Sequence, residues 1–194
     1  MSINNFTELL EVVKKQPPKR VVAVNGVDIS TLEAMHDAVE LGFVIPIITG
    51  DRTVIEESCK KLGVDSSDYQ IYDAKSIREA TDIAVELIHE DKADVLMKGM
   101  VSTDQFMRAL LRKENNLVPT KGTLSHVSVM DNPNYHKLLV FSDAAVLPYP
   151  DLKQKILMTN YLICAAKSLG VEQPKVAVIA PTEQIIISIQ SCMD

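Results

Sequence analysis

Along the first half of the chain, short apolar runs alternate with stretches whose apolar residues return every three or four positions. The runs are Arg20–Asn25 (RVVAVN), Phe43–Thr49, Tyr69–Ala74 and Asp94–Met97, each the length of a strand. Between them, Leu32, Met35, Ala38, Val39 and Leu41 share one helical face, as do Val54, Ile55, Cys59 and Leu62. Ile77, Ala80, Ile83, Ala84 and Leu87 mark the next helix, and Phe6, Leu9, Leu10, Val12 and Val13 an N-terminal one closed by Pro17-Pro18. The punctuation agrees. Ser30 with Glu33 has capping-box spacing, Asp51 opens the following helix, and Gly42 and Gly63 stand as stops. Pro46 inside the second run predicts a sheet edge or a bulge.

Strand–helix alternation with short connections is the pattern of an α/β fold, a parallel sheet covered by helices on both faces in three layers. Each crossover should be right-handed. The fourth strand leads into a helix over Ser102–Lys113, and there the pattern changes. Ser125–Met130 and Lys137–Phe141 flank the turn-rich Asp131-Asn132-Pro133-Asn134, which predicts a hairpin. Leu147-Pro148-Tyr149-Pro150 is the best boundary, separating a first domain (residues 1–147) from residues 148–194. Beyond it, Asp151 caps a long helix carrying Leu152, Ile156, Leu157, Tyr161, Ile163, Leu169 and Cys164, which reads as core. Gly170 stops it, and Lys175–Ala180 (KVAVIA) reads as one more buried strand, followed by an isoleucine-rich tail. One helix, one strand and a tail cannot bury their own faces. They could join the first sheet or pair with another copy; the expectation here is that they begin a second α/β domain whose continuation lies beyond Asp194.

Composition narrows the partners. The 194 residues are 46% hydrophobic and 24% charged, the balance of a globular protein, and the net charge of -6 argues against a general nucleic-acid face. No apolar run approaches the roughly 20 residues of a membrane span, and MSINNFTELLEVVKKQ lacks a signal-peptide core. Cys59, Cys164 and Cys192 show no metal-like spacing and read as reduced thiols of a cytoplasmic protein.

Candidate chemistry gathers between Asp94 and His126. Neither GxGxxG nor GxxxxGK[ST] is present. Lys98-Gly99 instead ends an apolar strand, at the carboxyl edge where open parallel sheets collect ligands. A lysine supplies a point charge for phosphate, and a glycine lets backbone come close. Ser102 and Thr103 stand at a helix N-terminus; Ser102 with Gln105 also has cap spacing. A second pair, Lys121-Gly122, precedes Ser125 and His126. Those two neighbours would point to opposite faces of a strand, so a simple nucleophile–base pair is excluded and a binding role is expected. Asp143 ends another strand and could orient a base, hold a cation or cap the next segment. Asn25-Gly26 also falls at a strand's carboxyl end, but a plain turn explains it.

Three separated segments, MKGMVSTDQFMRALL, KGTLSHVSVM and YHKLLVFSDAAV with DLKQKI after it, resemble the phosphate acetyl/butyryltransferase family, and within it the phosphate butyryltransferase branch. The resemblance implies reversible transfer of an acyl group between CoA and orthophosphate. It further implies an isocitrate/isopropylmalate dehydrogenase-like domain followed by a second α/β domain, a homo-oligomer, and small-molecule substrates with no nucleic acid or membrane partner. CoA and acyl-CoA are then substrates, with no tightly bound cofactor and no metal. Lys98, Gly99, Ser102 and Thr103 would bind phosphate or CoA, and Ser125, His126 and Asp143 would form the catalytic set. Members of the family continue past the position of Asp194, so the 194-residue chain is expected to be inactive or weak. A non-catalytic domain that binds CoA or an acyl phosphate, or assembles through its apolar tail, is the alternative; a dehydrogenase-like relative is the third reading.

Overall fold

The computed structural model describes residues 2–119, 122–180, 182–188 and 192. Its contacts divide the chain into two compact units, residues 11–119 and residues 1–10 with 120–194. The boundary expected after residue 147 falls inside the second of these.

The first unit holds a four-stranded sheet of β1 (Lys19–Val24), β2 (Val44–Gly50), β3 (Gln70–Asp73) and β4 (Val95–Lys98), in the order β3-β2-β1-β4. Every pairing is parallel. Successive β1 residues face opposite ways and so feed two cores. Val21 and Ala23 pack with Leu32 and Met35 of α2 (Ile29–Glu40) and with Ile55 and Cys59 of α3 (Arg52–Leu62). Val22 and Val24 pack with Ala84 and Leu87 of α4 (Ile77–His89) and with the half-buried Phe106 of α5 (Thr103–Leu111). Three layers result, as the alternating pattern predicts. Side chains as fully enclosed as Leu32 and Ile55 each contribute about 1.5–3 kcal/mol through burial.

The start of β1 is fastened to the start of β4. The Arg20 backbone N–H donates to Asp94 Oδ2 at 2.8 Å, and its guanidinium reaches Asp94 Oδ1 at 2.7 Å. That pairing holds the Asp94 carboxyl well below the usual carboxylate range.

Pro46 and the cap of α2 differ from the sequence expectations. Pro46 lies in a strand with neighbours on both sides, not at a sheet edge. It is tolerated because β3 pairs with β2 only from Ile47 onward, so one side of the strand is still open at the proline. The α2 cap is Asp28, not Ser30: its carboxylate accepts from Thr31 N at 2.9 Å and Thr31 Oγ1 at 2.7 Å, which starts the helix earlier.

The second unit contains the expected hairpin, shorter than its apolar run suggests: β5 (Ser128–Met130) pairs antiparallel with β6 (Leu139–Phe141). Ile3, Leu138 and Leu169 form its small core. The long helix α6 (Leu152–Ser168) carries a full capping box between Asp151 and Gln154. Its buried residues are Met158 and Ala166; Cys164 is exposed, against the core reading. Lys175–Ala180 forms no strand. Among the described residues it has no strand to pair with, and Val178 and Ile179 stand 84% and 86% exposed. The N-terminal helix, α1 (Phe6–Val13), has no buried residue.

Candidate functional site

The order β3-β2-β1-β4 means that the chain leaves β1 in one direction and returns on its other side as β4. The carboxyl ends of β1 and β4 therefore flank the point where the winding reverses, the usual ligand crevice of such sheets. Asn25 follows β1 in the left-handed region, φ 52°, a conformation asparagine tolerates better than most residues. Gly99 follows β4 and lies directly on the β1 end. A Cβ there would stand 2.6 Å from Val24 O and 2.8 Å from Asn25 O, so the crossing admits only glycine.

Hydrogen bonds knit these ends together. Gly99 N donates to Val24 O at 3.1 Å, Met100 N to Asn25 O at 2.9 Å, and Asn25 Nδ2 to Met100 O at 2.6 Å. Val101 N closes a tight turn on Gly99 O at 2.8 Å. Lys98 Nζ donates to Val101 O at 2.9 Å and to Gly99 O at 3.4 Å, so the ammonium is folded over its own loop. An ammonium has three N–H donors; among the described residues, no partner is recorded for the third. Ser102 caps α5 by accepting from Gln105 N at 3.2 Å, and its hydroxyl donates to Gln105 Oε1 at 2.9 Å. Thr103 begins α5 and is exposed. Lys98, Gly99, Ser102 and Thr103 thus sit together in one strand–loop–helix segment.

Ser125, His126 and Asp143 are brought together in the second unit. Asp143 Oδ2 accepts from Ser125 Oγ at 3.0 Å and His126 N at 2.9 Å; Oδ1 accepts from Ala145 N and Val146 N, both at 2.8 Å. Burial pushes this carboxyl up, but the N–H groups of Ala145, His126 and Val146 and the Ser125 hydroxyl outweigh it, and the pKa falls to about 2. Ser125 Oγ also lies 3.0 Å from Ser142 Oγ. His126 precedes β5, so strand alternation does not govern it. Its Nδ1 lies 3.3 Å from Ser128 Oγ, while Ser125 takes other partners. Tyr161 of α6 donates its hydroxyl to Thr123 O at 3.0 Å and ties down the same loop. Ser142 and Asp143 also line a groove of about 1140 Å³ with Leu147, Leu152 and Ile156. Lys121 lies outside the described residues.

Two participants escaped the sequence reading. Ser142 is a direct partner of Ser125, and Asn25 is more than a turn residue, since its amide holds the loop after β4. The usable signal for Asn25 was an amide side chain directly after a buried strand and ahead of glycine, where φ turns positive.

Comparison with known proteins adds an independent observation. The model of the family described as "Phosphate acetyl/butaryl transferase" matches residues 74–186. The chain is 40% identical over 190 residues to the phosphate butyryltransferase of Clostridium beijerinckii, covering 98% of this chain and 63% of that protein. It is 37% identical over 192 residues to that of Clostridium acetobutylicum, covering 99% and 64%. In fold it is similar to a branched-chain phosphotransacylase from Enterococcus faecalis V583, with a TM-score of 0.72 at 19% identity, covering 89% of this chain and 60% of that one. The chain thus spans less than two thirds of the length of these relatives.

Proposed function

Because this chain belongs to the phosphate acetyl/butyryltransferase family, we propose that it serves reversible acyl transfer between CoA and orthophosphate, with butyryl as the acyl group. In that reaction a phosphate oxygen attacks the thioester carbonyl carbon, the C–S bond breaks, and the departing thiolate takes up a proton as CoA. The protein's part is to hold phosphate against the carbonyl and to meet developing negative charge with fixed donors. The observation that carries this reading is the Lys98 loop at the winding-reversal point, with an ammonium and a capped helix N-terminus in one segment. Lys98, Gly99, Ser102 and Thr103 are its phosphate- or CoA-binding residues. The catalytic roles proposed for Ser125, His126 and Asp143 divide by geometry. Asp143 is an orienting anion for Ser125 and the His126 backbone. In the tautomer whose Nδ1 accepts from Ser128, the His126 imidazole carries its proton on Nε2 and donates to phosphate or CoA.

The finer features implied by the resemblance belong to the same proposal: an isocitrate/isopropylmalate dehydrogenase-like first domain, a second α/β domain opening near residue 148, a cytoplasmic homo-oligomer, and CoA as substrate without a tightly bound cofactor. One observation favours the second reading, a binding domain without turnover. Asp143 accepts four hydrogen bonds that hold its pKa down to about 2, which makes it a poor base for a thiol.

Titration calorimetry of the chain with CoA and with orthophosphate tests the binding claim. We expect Lys98→Met to weaken the anion that binds by roughly tenfold or more, the scale of one charge-assisted hydrogen bond. No binding by the unaltered chain would overturn the proposal. CoA release from butyryl-CoA and orthophosphate, followed by thiol titration, separates turnover from binding alone.

A further inference from the structure

We infer that Asn25 is a positioning residue for the anion loop, acting through the shape of Gly99–Val101 to aim Lys98. The inference rests on the binding role proposed for that loop. Three observations converge on it. The Asn25 amide donates to Met100 O at 2.6 Å while its own carbonyl accepts from Met100 N at 2.9 Å, so one residue holds the same peptide neighbour from both sides. Its φ of 52° is what turns the amide and the carbonyl toward that loop together. Lys98 Nζ is in turn fixed by the Gly99 and Val101 carbonyls on either side of Met100. Were the Met100 peptide released, those carbonyls would lose their fixed direction, and the ammonium with them. The backbone pose of Asn25 is itself supported by Thr49, whose hydroxyl accepts from Asn25 N at 3.3 Å. Thr49 is fully buried, so this support is part of the core rather than of the surface.

Asn25 touches neither reacting atom in this reading. Its effect must therefore vanish when Lys98 is gone, which a general loss of stability would not do. The test uses the whole chain with CoA and orthophosphate as probes, titrated calorimetrically at fixed ionic strength. Asn25→Gly keeps the left-handed backbone accessible and removes the side-chain amide with its donor; Asn25→Asp keeps a residue that tolerates that backbone but faces the Met100 carbonyl with an acceptor. We expect Asn25→Gly to weaken the bound anion roughly tenfold, the scale of one hydrogen bond, and Asn25→Asp to weaken it more, with melting temperatures near that of the unaltered chain. In the double variant with Lys98→Met, the Asn25→Gly change should add no further loss, the non-additivity of two residues acting as one. Asn25→Gly binding within about twofold of the unaltered chain, or additive losses in the double variant, overturns the inference and leaves the proposed function standing. An unaltered chain that binds neither probe overturns the proposed function and this inference with it.

Discussion

Lys98 and Asp143 are opposite solutions to the same problem of holding a charge at the end of a strand. The Asp143 carboxylate accepts four hydrogen bonds, three from backbone N–H groups and one from Ser125. All its acceptor capacity is committed to the chain. The Lys98 ammonium donates to two carbonyls of its own loop and has a third donor for which the described residues show no partner. A saturated charge organises its surroundings; an unsaturated one can also recruit a ligand. Tyr69 completes the series: its hydroxyl is buried in the sheet unit with no partner recorded among the described residues. Burial raises its pKa to about 12 and keeps it neutral.

The largest expected effect comes from breaking the saturated end. Asp143→Asn replaces one acceptor oxygen with a donor that faces N–H groups, and we expect a loss of about 3 kcal/mol in urea unfolding. The pH dependence has a definite sign. A carboxyl whose folded pKa lies near 2 contributes stability above the ordinary unfolded value of about 4 and loses it as pH falls toward 2. The gap between the native chain and Asp143→Asn should therefore hold steady from pH 5 to 8 and narrow below about pH 4; a gap that widens in acid would break the account. Gly99→Ala comes next. Its Cβ would meet two backbone carbonyl oxygens within 2.8 Å, so the Lys98 loop must shift. We expect about 2 kcal/mol of destabilisation, together with weaker anion binding in calorimetry. Tyr69→Phe should run the other way, raising stability by about 1 kcal/mol by deleting an unpaired buried hydroxyl; a destabilised variant would reveal a partner for that group. Lys98→Met is expected to have the smallest effect on unfolding, below about 1 kcal/mol for an exposed cation, although it removes anion affinity. Loss of both would place Lys98 with Asp143 as a structural charge.

How much of this was legible in the sequence depends on where each residue finds its partner. The parallel sheet was readable because Arg20–Asn25, Phe43–Thr49 and the helical stripes beside them bury one another, and burial is what a periodic pattern records. Lys175–Ala180 carries an equally apolar pattern, yet forms no strand, because a strand also needs a neighbour that the pattern does not name. The Lys98-Gly99 pair stood out because charge and flexibility at a strand end are local facts. The Asn25 contact to Met100 spans 75 positions and joins two separate strand ends. The residues around Asn25 announce its turn but not its partner. Asp143 lay between these cases: a cap on Ala145 and Val146 was a local option, whereas its hold on Ser125 and His126 depends on the hairpin closing.

The position of β1 between β2 and β4 also predicts an order of assembly. β1 meets β2 across roughly 25 residues, with Lys19 opposite Val44, but meets β4 across roughly 75, with Val21 opposite Val95. Closing the longer loop costs about 1 kcal/mol more in chain entropy, so we expect the β1–β2 ladder to form first and β4 to dock onto it. The Gly99 and Met100 amides, which bond to the end of β1, should then gain protection late in pulse-labelled hydrogen exchange, after those of β2. If they do, the anion loop is the closing stitch of the sheet, and a chain that has not finished folding has no charge in place to offer.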